Sequence, residues 1–389
     1  MRTLNTISRF IVGIIFIFSG FVKGIDPLGS TYKFVDYFNA FGMSFFEPLA
    51  FPLAVLLSSI EFVLGVSFIF SVKKQLTAWA VLIFMLFFTL LTLVLAIFNP
   101  VTDCGCFGDA IIMTNWQTFW KNIVIMIFTL VVFINRNRFL ISWSSLQQWS
   151  LVIITGFFII LISVFSFKHL PLIDFRPYKV GTYIPEKMII PEGAPVAEYK
   201  TILVYGKGEK TIEVTIDNLP DSSWHWIETK NTLVKKGYQP PIHDFTIQSM
   251  DGDDYTDLIL SDNKFTFVLI SYDLKKANLK NIESINALVD FCKSKGNCNF
   301  ICLTSSVQKE IDEFTAKTNA KYPFFNTDEI TLKTIIRANP GIMLLRRGWI
   351  IKKWNSNDLP GIESITKDFL NNSKYKPELT ETVSEEFDV

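Results

Sequence analysis

The sequence predicts a two-part protein, an all-helical membrane bundle followed by an α/β domain. Three observations carry this. The chain has 389 residues with 37 Lys/Arg and 37 Asp/Glu, but residues 1–168 hold 26 of the 37 Phe with only 10 Lys/Arg and 6 Asp/Glu. Residues 169–389 hold the remaining 11 Phe with 27 Lys/Arg and 31 Asp/Glu, so the average describes neither half. Five apolar stretches fill the first half, at about 7–25, 48–70, 76–98, 119–134 and 148–167. The second half alternates short apolar strands with segments of helical character. A single soluble globule and a disordered chain are both excluded. Net neutrality and the acidic tail (Glu378, Glu381, Glu385, Glu386, Asp388) give no support for nucleic-acid binding.

The first stretch follows Arg2 and Arg9, as a signal peptide would, but no small-x-small cleavage site follows it. It reads as a retained span. Stretches two, three and five are long enough to cross a hydrocarbon core. Stretch four is short by strict count, and Trp116 to Ile134 brings it to nineteen residues. Positive charge in the short loops orients the bundle. Arg2 and Arg9 precede span one, Lys73 and Lys74 separate spans two and three, and Arg136 and Arg138 separate spans four and five. The N-terminus is then cytoplasmic, and residues 26–47, 99–118 and everything after 168 lie outside. In a bacterium this means the inner membrane, with a periplasmic C-terminal half. The domain limits become 1–140 for the membrane core, 141–168 for the fifth helix, 169–239 for a linker and hairpin region, 240–376 for the α/β domain and 377–389 for a flexible acidic tail.

Two features of the membrane half carry chemistry. Asp103-Cys104-Gly105-Cys106-Phe107-Gly108-Asp109 lies on the external side, at the mouth of span three. The periplasm permits disulfides. A Cys-x-Cys pair can close a small strained disulfide, with Gly105 supplying backbone freedom, and strain makes such a bond labile. This suits a redox pair that a membrane quinone could approach; a static bridge that tightens the loop suits the same residues. Asp103 and Asp109 are poor partners for a soft thiolate metal site, so no metal is expected. The same two carboxylates should raise the nearby thiol pKa values. The second feature is Glu61 inside span two. A carboxylate in lipid is costly and should face the bundle, where a proton relay, a quinone contact and a helix–helix hydrogen bond all fit. Lys23, at the outer end of span one, is either its partner or a snorkelling side chain.

The membrane half resembles the DoxX superfamily, in its MauE-like branch. The matching residues are Phe18-Ser19-Gly20-Phe21-Val22-Lys23-Gly24-Ile25-Asp26-Pro27-Leu28-Gly29, Glu61, and Asp103-Cys104-Gly105-Cys106-Phe107-Gly108. The resemblance covers roughly residues 5–140. It implies a four-helix membrane core associated with disulfide formation or maturation of exported redox proteins, with Cys104 and Cys106 as the dithiol and Glu61 as a polar residue of the bundle interior. The fifth span and the external half exceed this pattern. They resemble an architecture associated with Bacteroidetes, including the string from His169 to Gly181 just after span five.

Residues 169–195 are Pro-rich and read as a linker whose Arg176 and Lys179 can reach phosphates. A hairpin follows, Tyr199–Tyr205 and Lys210–Ile216 across Gly206-Lys207-Gly208. His225, between Trp224 and Trp226, reads as part of a packed surface cluster rather than a catalytic base. Beyond residue 240 the order is β-α-β-α-β-β-α. Strands Phe265–Ile270 and Phe300–Leu303, the short segment Pro323–Phe325 and the hairpin Ile342–Arg346/Trp349–Trp354 alternate with helices near 278–295, 306–319, 328–337 and 362–372. Cys302 falls on an apolar strand and should be buried and inert. Cys292 and Cys298, with five residues between them, suit a structural disulfide. This order resembles the thioredoxin fold, in its TlpA-like periplasmic branch, and Pro340 occupies the place of that fold's cis-proline. The departure is Ser271-Tyr272-Asp273-Leu274-Lys275-Lys276-Ala277-Asn278, where a Cys-x-x-Cys would stand. Thiol exchange is not expected there.

Two functions follow. In the first, a disulfide oxidoreductase of the inner membrane passes electrons from periplasmic client thiols through Cys104 and Cys106 to a membrane acceptor, with a quinone as the candidate cofactor and Glu61 in support. In the second, a non-enzymatic scaffold uses its degenerate thioredoxin-like domain to dock subunits of a cell-envelope complex. A transporter has little support, because the spans lack clear inverted repeats and carry little charge besides Glu61.

Overall fold

The computed structural model describes residues 2–138, 143–196, 198–208, 210–216, 218–235, 237–296, 298–372 and 375. The acidic tail expected at 377–389 lies outside the described residues.

The membrane half contains helices α1 (Arg2–Ile25), α2 (Pro27–Ala40), α3 (Ala50–Phe70), α4 (Lys74–Phe98), α5 (Asn115–Ile134) and α6 (Ser145–Lys168). Five helical segments are long and apolar enough to cross a membrane: Thr3–Ile25, Ser44–Phe70, Lys74–Phe98, Asn115–Ile134 and Ser145–Lys168. Their exposed faces are apolar, with Ile83, Phe87 and Leu90 on α4 and Ile153, Phe157 and Leu161 on α6 turned outward, as lipid requires. α1 and α3 approach backbone to backbone. A Cβ on Gly20 would lie 2.5 Å from Phe62 N, and one on Gly65 would lie 2.6 Å from Ile17 N. Small residues at a helix crossing allow this approach, and here it places the outer part of α1 against the middle of α3.

Residues 26–47, expected as an external connection, mostly form α2. Asp26 caps this helix by accepting from Gly29 N, and Pro27 occupies the first turn, where its missing N–H costs nothing.

The external half begins with a short helix, α7 (Ile184–Met188), and three strands, β1 (Glu198–Lys207), β2 (Lys210–Thr215) and β3 (His225–Lys235). These form an antiparallel sheet of order β2-β1-β3. β1 and β2 make a hairpin. His225 and Trp226 begin β3 rather than forming a packed cluster: they pair with Gly206 and Tyr205, and both are exposed.

The chain then runs through α8 (Thr256–Ser261), β4 (Phe265–Ile270), α9 (Ile282–Lys295), β5 (Cys298–Thr304), α10 (Gln308–Thr318), β6 (Phe324–Asn326), α11 (Glu329–Ile335), β7 (Gly341–Arg346), β8 (Trp349–Asn355) and α12 (Ile362–Ile365). The sheet order is β6-β5-β4-β7-β8, with β4, β5 and β6 parallel and β7 and β8 antiparallel to their neighbours. Parallel pair, then hairpin, with the first strand central, is the thioredoxin-like arrangement. β4 is buried along its whole length, as a uniformly apolar strand covered on both faces should be. The peptide bond Asn339–Pro340 is cis.

The Pro-rich segment after α6 is packed onto this domain rather than free. Gly181 N donates to Ile350 O and Ile184 N to Gly348 O, along β8. Arg176 does not reach for phosphate. It is buried, its Nε donates to Asp174 Oδ1 at 2.7 Å and its Nη1 to Thr334 O, while Lys353 grips the same Asp174 at 2.5 Å.

Candidate functional site

α3 brings Glu61 into the bundle interior, where it is 4% exposed. The close α1–α3 crossing sets Ser19 and Lys23 of α1 beside it. Lys23 Nζ lies 2.5 Å from Glu61 Oε1, so Lys23 is its ion-pair partner and does not snorkel. Ser19 Oγ lies 2.7 Å from Glu61 Oε2 and 2.8 Å from the carbonyl of Cys106. A hydroxyl has one hydrogen and can serve only one of these acceptors. Ser19 thus stands between the Glu61 carboxyl group and the backbone of Cys106.

The loop between α4 and α5 carries Cys104 and Cys106. Their sulfurs lie 2.8 Å apart. Gly105 sits at φ +64, a conformation that side chains disfavour, and a Cβ there would lie 3.0 Å from Lys33 Cγ. α2 holds the loop from above: Tyr37 donates to the Cys104 carbonyl at 2.8 Å, and Lys33 pairs with Asp103 at 2.7 Å. Asp103 in turn accepts from Gly105 N.

The expectation that Asp103 and Asp109 raise both thiols is corrected by these pairings. Asp103 is neutralised by Lys33 and Asp109 by Arg337, at 2.7 Å each. What acts on Cys106 is the hydrogen bond with Cys104, then the ammonium groups of Lys121 and Lys23, and its thiol is lowered to about 6 against the pull of burial and Glu61. Cys104 moves the other way, raised by the same hydrogen bond and by burial. Cys106 is therefore the more acidic of the two thiols.

Both cysteines line a cavity of about 450 Å³ between α1, α2, α3, α4 and α5. Its walls are apolar, including Leu56, Ile60 and Phe87, which are also exposed on the bundle's outer surface. Ser19, Lys23, Glu61 and Lys121 lie beside Cys106, and Asn122, bonded to Phe88 O and Thr92 Oγ1 of α4, also lines the cavity. Among the described residues Lys121 has no ion-pair partner, and its ammonium rests 4.3 Å over the Phe107 ring.

Residues 1–135 match the family model of methylamine utilisation protein MauE. Glu61, Cys104 and Cys106 all fall inside this MauE-like region. A second match, to a domain of unknown function (DUF8463), covers residues 199–236, the three-stranded sheet. No curated protein matches the chain. Among solved structures, the chain is similar to a putative protein disulfide isomerase from Bacteroides thetaiotaomicron, at 18% identity over 32% of this chain and 82% of that one, with a TM-score of 0.26. It is also similar to BsSco, a member of the Sco family of cytochrome c oxidase assembly proteins, at 13% identity over 33% and 90%, with a TM-score of 0.28. A third is a secreted Mycobacterium tuberculosis disulfide oxidoreductase homologous to E. coli DsbE, at 14% identity over 31% and 87%, with a TM-score of 0.23. The thioredoxin-like description rests on the sheet order and directions given above.

The external domain adds no second thiol site of this kind. Beyond β4, where a Cys-x-x-Cys would stand, Ser271 Oγ hydrogen-bonds Asn339 Oδ1 at 2.7 Å and Asp273 caps a short turn of 3₁₀ helix. Tyr272 points at the membrane half, 3.2 Å from the Tyr32 hydroxyl of α2. Cys292 and Cys298, expected as a disulfide, lie buried and in side-chain contact at the end of α9 and the start of β5. They share a hydrogen bond that raises Cys292 and lowers Cys298. Cys302 is fully buried, which raises its thiol and leaves it inert.

Proposed function

We propose that this is a thiol–disulfide redox protein of the bacterial inner membrane, with the N-terminus cytoplasmic and the thioredoxin-like domain periplasmic. The observation that carries the reading is the placement of a thiolate-forming pair, Cys104 and Cys106, at the polar end of an apolar cavity within a five-span bundle. A client dithiol reduces the Cys104–Cys106 disulfide through a mixed disulfide, transferring two electrons and two protons and leaving as a disulfide. The Cys106 thiolate is the attacking sulfur in the reverse sense, and Cys104 resolves the mixed bond. The cavity suits an apolar molecule with a polar head, and Lys121, Asn122 and Ser19 are the groups that would hold such a head. A quinone bound there would accept two electrons and two protons from the reduced pair. Glu61, Lys23 and Ser19 give that end of the cavity its hydrogen-bonding groups.

The test is redox trapping in growing cells with purification in gentle detergent. Cys104 and Cys106 should appear in both thiol and disulfide forms, with a quinone or a mixed-disulfide client attached. A pair found permanently in one form, with neither partner, would sink the redox reading. The scaffold reading has one observation in its favour: the face that carries the cysteines in active thioredoxin-like domains holds Ser271 and Tyr272 here and is docked on α2. A stable protein complex unaffected by Cys104→Ser and Cys106→Ser would support it.

A further inference from the structure

Arg337 sits between α11 and β7 in the external domain, yet its side chain reaches into the membrane half. It is 5% exposed. Nε donates to both oxygens of Asp26, at 3.1 and 2.9 Å, and Nη2 donates to Asp109 Oδ2 at 2.7 Å. Nη1 donates to the Lys333 carbonyl, and the guanidinium lies 5.3 Å from the centre of the Tyr32 ring. The seat is built for it: a Cβ on Gly29 would lie 2.9 Å from Arg337 Nη2 and 2.6 Å from Asp26 Oδ2.

The two carboxylates it joins belong to the two ends of the cysteine loop's support. Asp26 caps α2, the helix whose Lys33 and Tyr37 hold Asp103 and the Cys104 carbonyl. Asp109 closes the other end of the loop, past the turn in which Gly108 N donates to Gly105 O. One guanidinium from the external domain therefore grips both the helix above the cysteines and the strand of chain leaving them. Its charge also balances the two carboxylates that it grips.

We propose that Arg337 is a positioning residue for the Cys104–Cys106 pair, through which the docked external domain sets the reactivity of the membrane thiols. The inference rests on the redox reading for its purpose, but thiol reactivity can be read whether or not the pair cycles in cells. The groups facing Cys106 are Lys23 of α1, Glu61 of α3, Lys121 of α5 and Cys104, with the Tyr37 hydroxyl nearby on α2. None of these is altered by a change at Arg337.

The experiment uses the full chain in detergent and follows alkylation of Cys106 by iodoacetamide against pH, read by peptide mass spectrometry. Arg337→Gln leaves Asp26 and Asp109 unbalanced and should make Cys106 a weaker acid. A tenfold weaker acid forms about fivefold less thiolate at pH 6, with a matching fall in rate. Removing the unbalanced charge as well, in Arg337→Gln with Asp109→Asn, should restore most of the rate. Gly29→Ala changes no charge but displaces the guanidinium, and it should move the profile in the same direction as Arg337→Gln. An unchanged profile in Gly29→Ala and in folded Arg337→Gln would overturn the proposal; if Arg337→Gln does not fold, the Gly29→Ala profile decides alone. A shifted profile in a protein whose pair never cycles would retain the clamp and remove the redox reading.

Discussion

Two cysteine pairs in this chain invite comparison. Cys104 and Cys106 are two residues apart in a loop at the membrane surface; Cys292 and Cys298 are six positions apart and join a helix end to a strand. In both, two thiols share a hydrogen bond that raises one and lowers the other. Their surroundings differ. The external pair is buried in an apolar cluster with Phe265, Ile285 and Phe300. The membrane pair faces a cavity and two lysines, with its neighbouring carboxylates tied off by Lys33 and Arg337. Proximity of two sulfurs makes a pair; access and a local cationic field make it reactive.

The comparison breaks most visibly under serine substitution. Cys104→Ser or Cys106→Ser should reduce client oxidation to background, while Cys292→Ser leaves it unchanged. Cys292→Ser instead places a hydroxyl in an apolar core and should cost about 1–3 kcal/mol of stability, seen in thermal unfolding. Equal loss of client oxidation from both changes would erase the distinction.

Next in size is the buried ion pair behind the membrane site. Lys23→Met or Glu61→Gln leaves one charged or polar partner stranded and should destabilise the detergent-solubilised protein by about 3–5 kcal/mol. Lys23→Met with Glu61→Leu should recover most of that loss. Failure of the double change to recover it would show that the pair's surroundings, and not its stranded charge, set the cost.

A pH titration sharpens the contrast without mutation. A thiol lowered to about 6 is mostly thiolate at neutral pH, so Cys106 should alkylate at a nearly constant rate above pH 7. As pH falls well below 6 its rate should drop about tenfold per pH unit. Cys292 and Cys302, both raised, should stay unmodified across the same range. A midpoint for Cys106 near that of a free thiol would show that Lys121 and Lys23 do not act on it.

The smallest effect expected is at the contact between the halves. Tyr272→Phe removes the hydrogen bond to Tyr32 and should cost about 1 kcal/mol in unfolding of the full chain. A much larger loss would make Tyr272, rather than Arg337, the main tie between the domains.

Much of this was legible beforehand. The spans, and the succession of strands and helices along the external domain, follow from apolar run length and alternation, which are local signals. Cys104, Cys106 and Glu61 stood out because thiols and a carboxylate are chemically conspicuous in an apolar half. Their helpers did not. Ser19, Tyr37 and Lys121 are ordinary residues until the folded chain brings them within reach of the loop. α2 had a signal that could have found it, Asp26-Pro27 as a cap and first turn. Arg337 had none, since its partners lie 311 and 228 positions away. Arg176 misled for the related reason that a cation in a juxtamembrane string looks free until its carboxylate is found.

The sequence alone determined that an apolar, phenylalanine-rich half must sit in lipid and a charged half outside it, because backbone and side-chain solvation depend on composition over a whole segment. It also placed two thiols at the boundary. Only the tertiary structure decided which thiol is the more acidic, which carboxylates are neutralised and that the external domain reaches down to the loop. Those outcomes depend on charges and hydrogen bonds only a few ångströms apart, between residues that the chain order keeps distant.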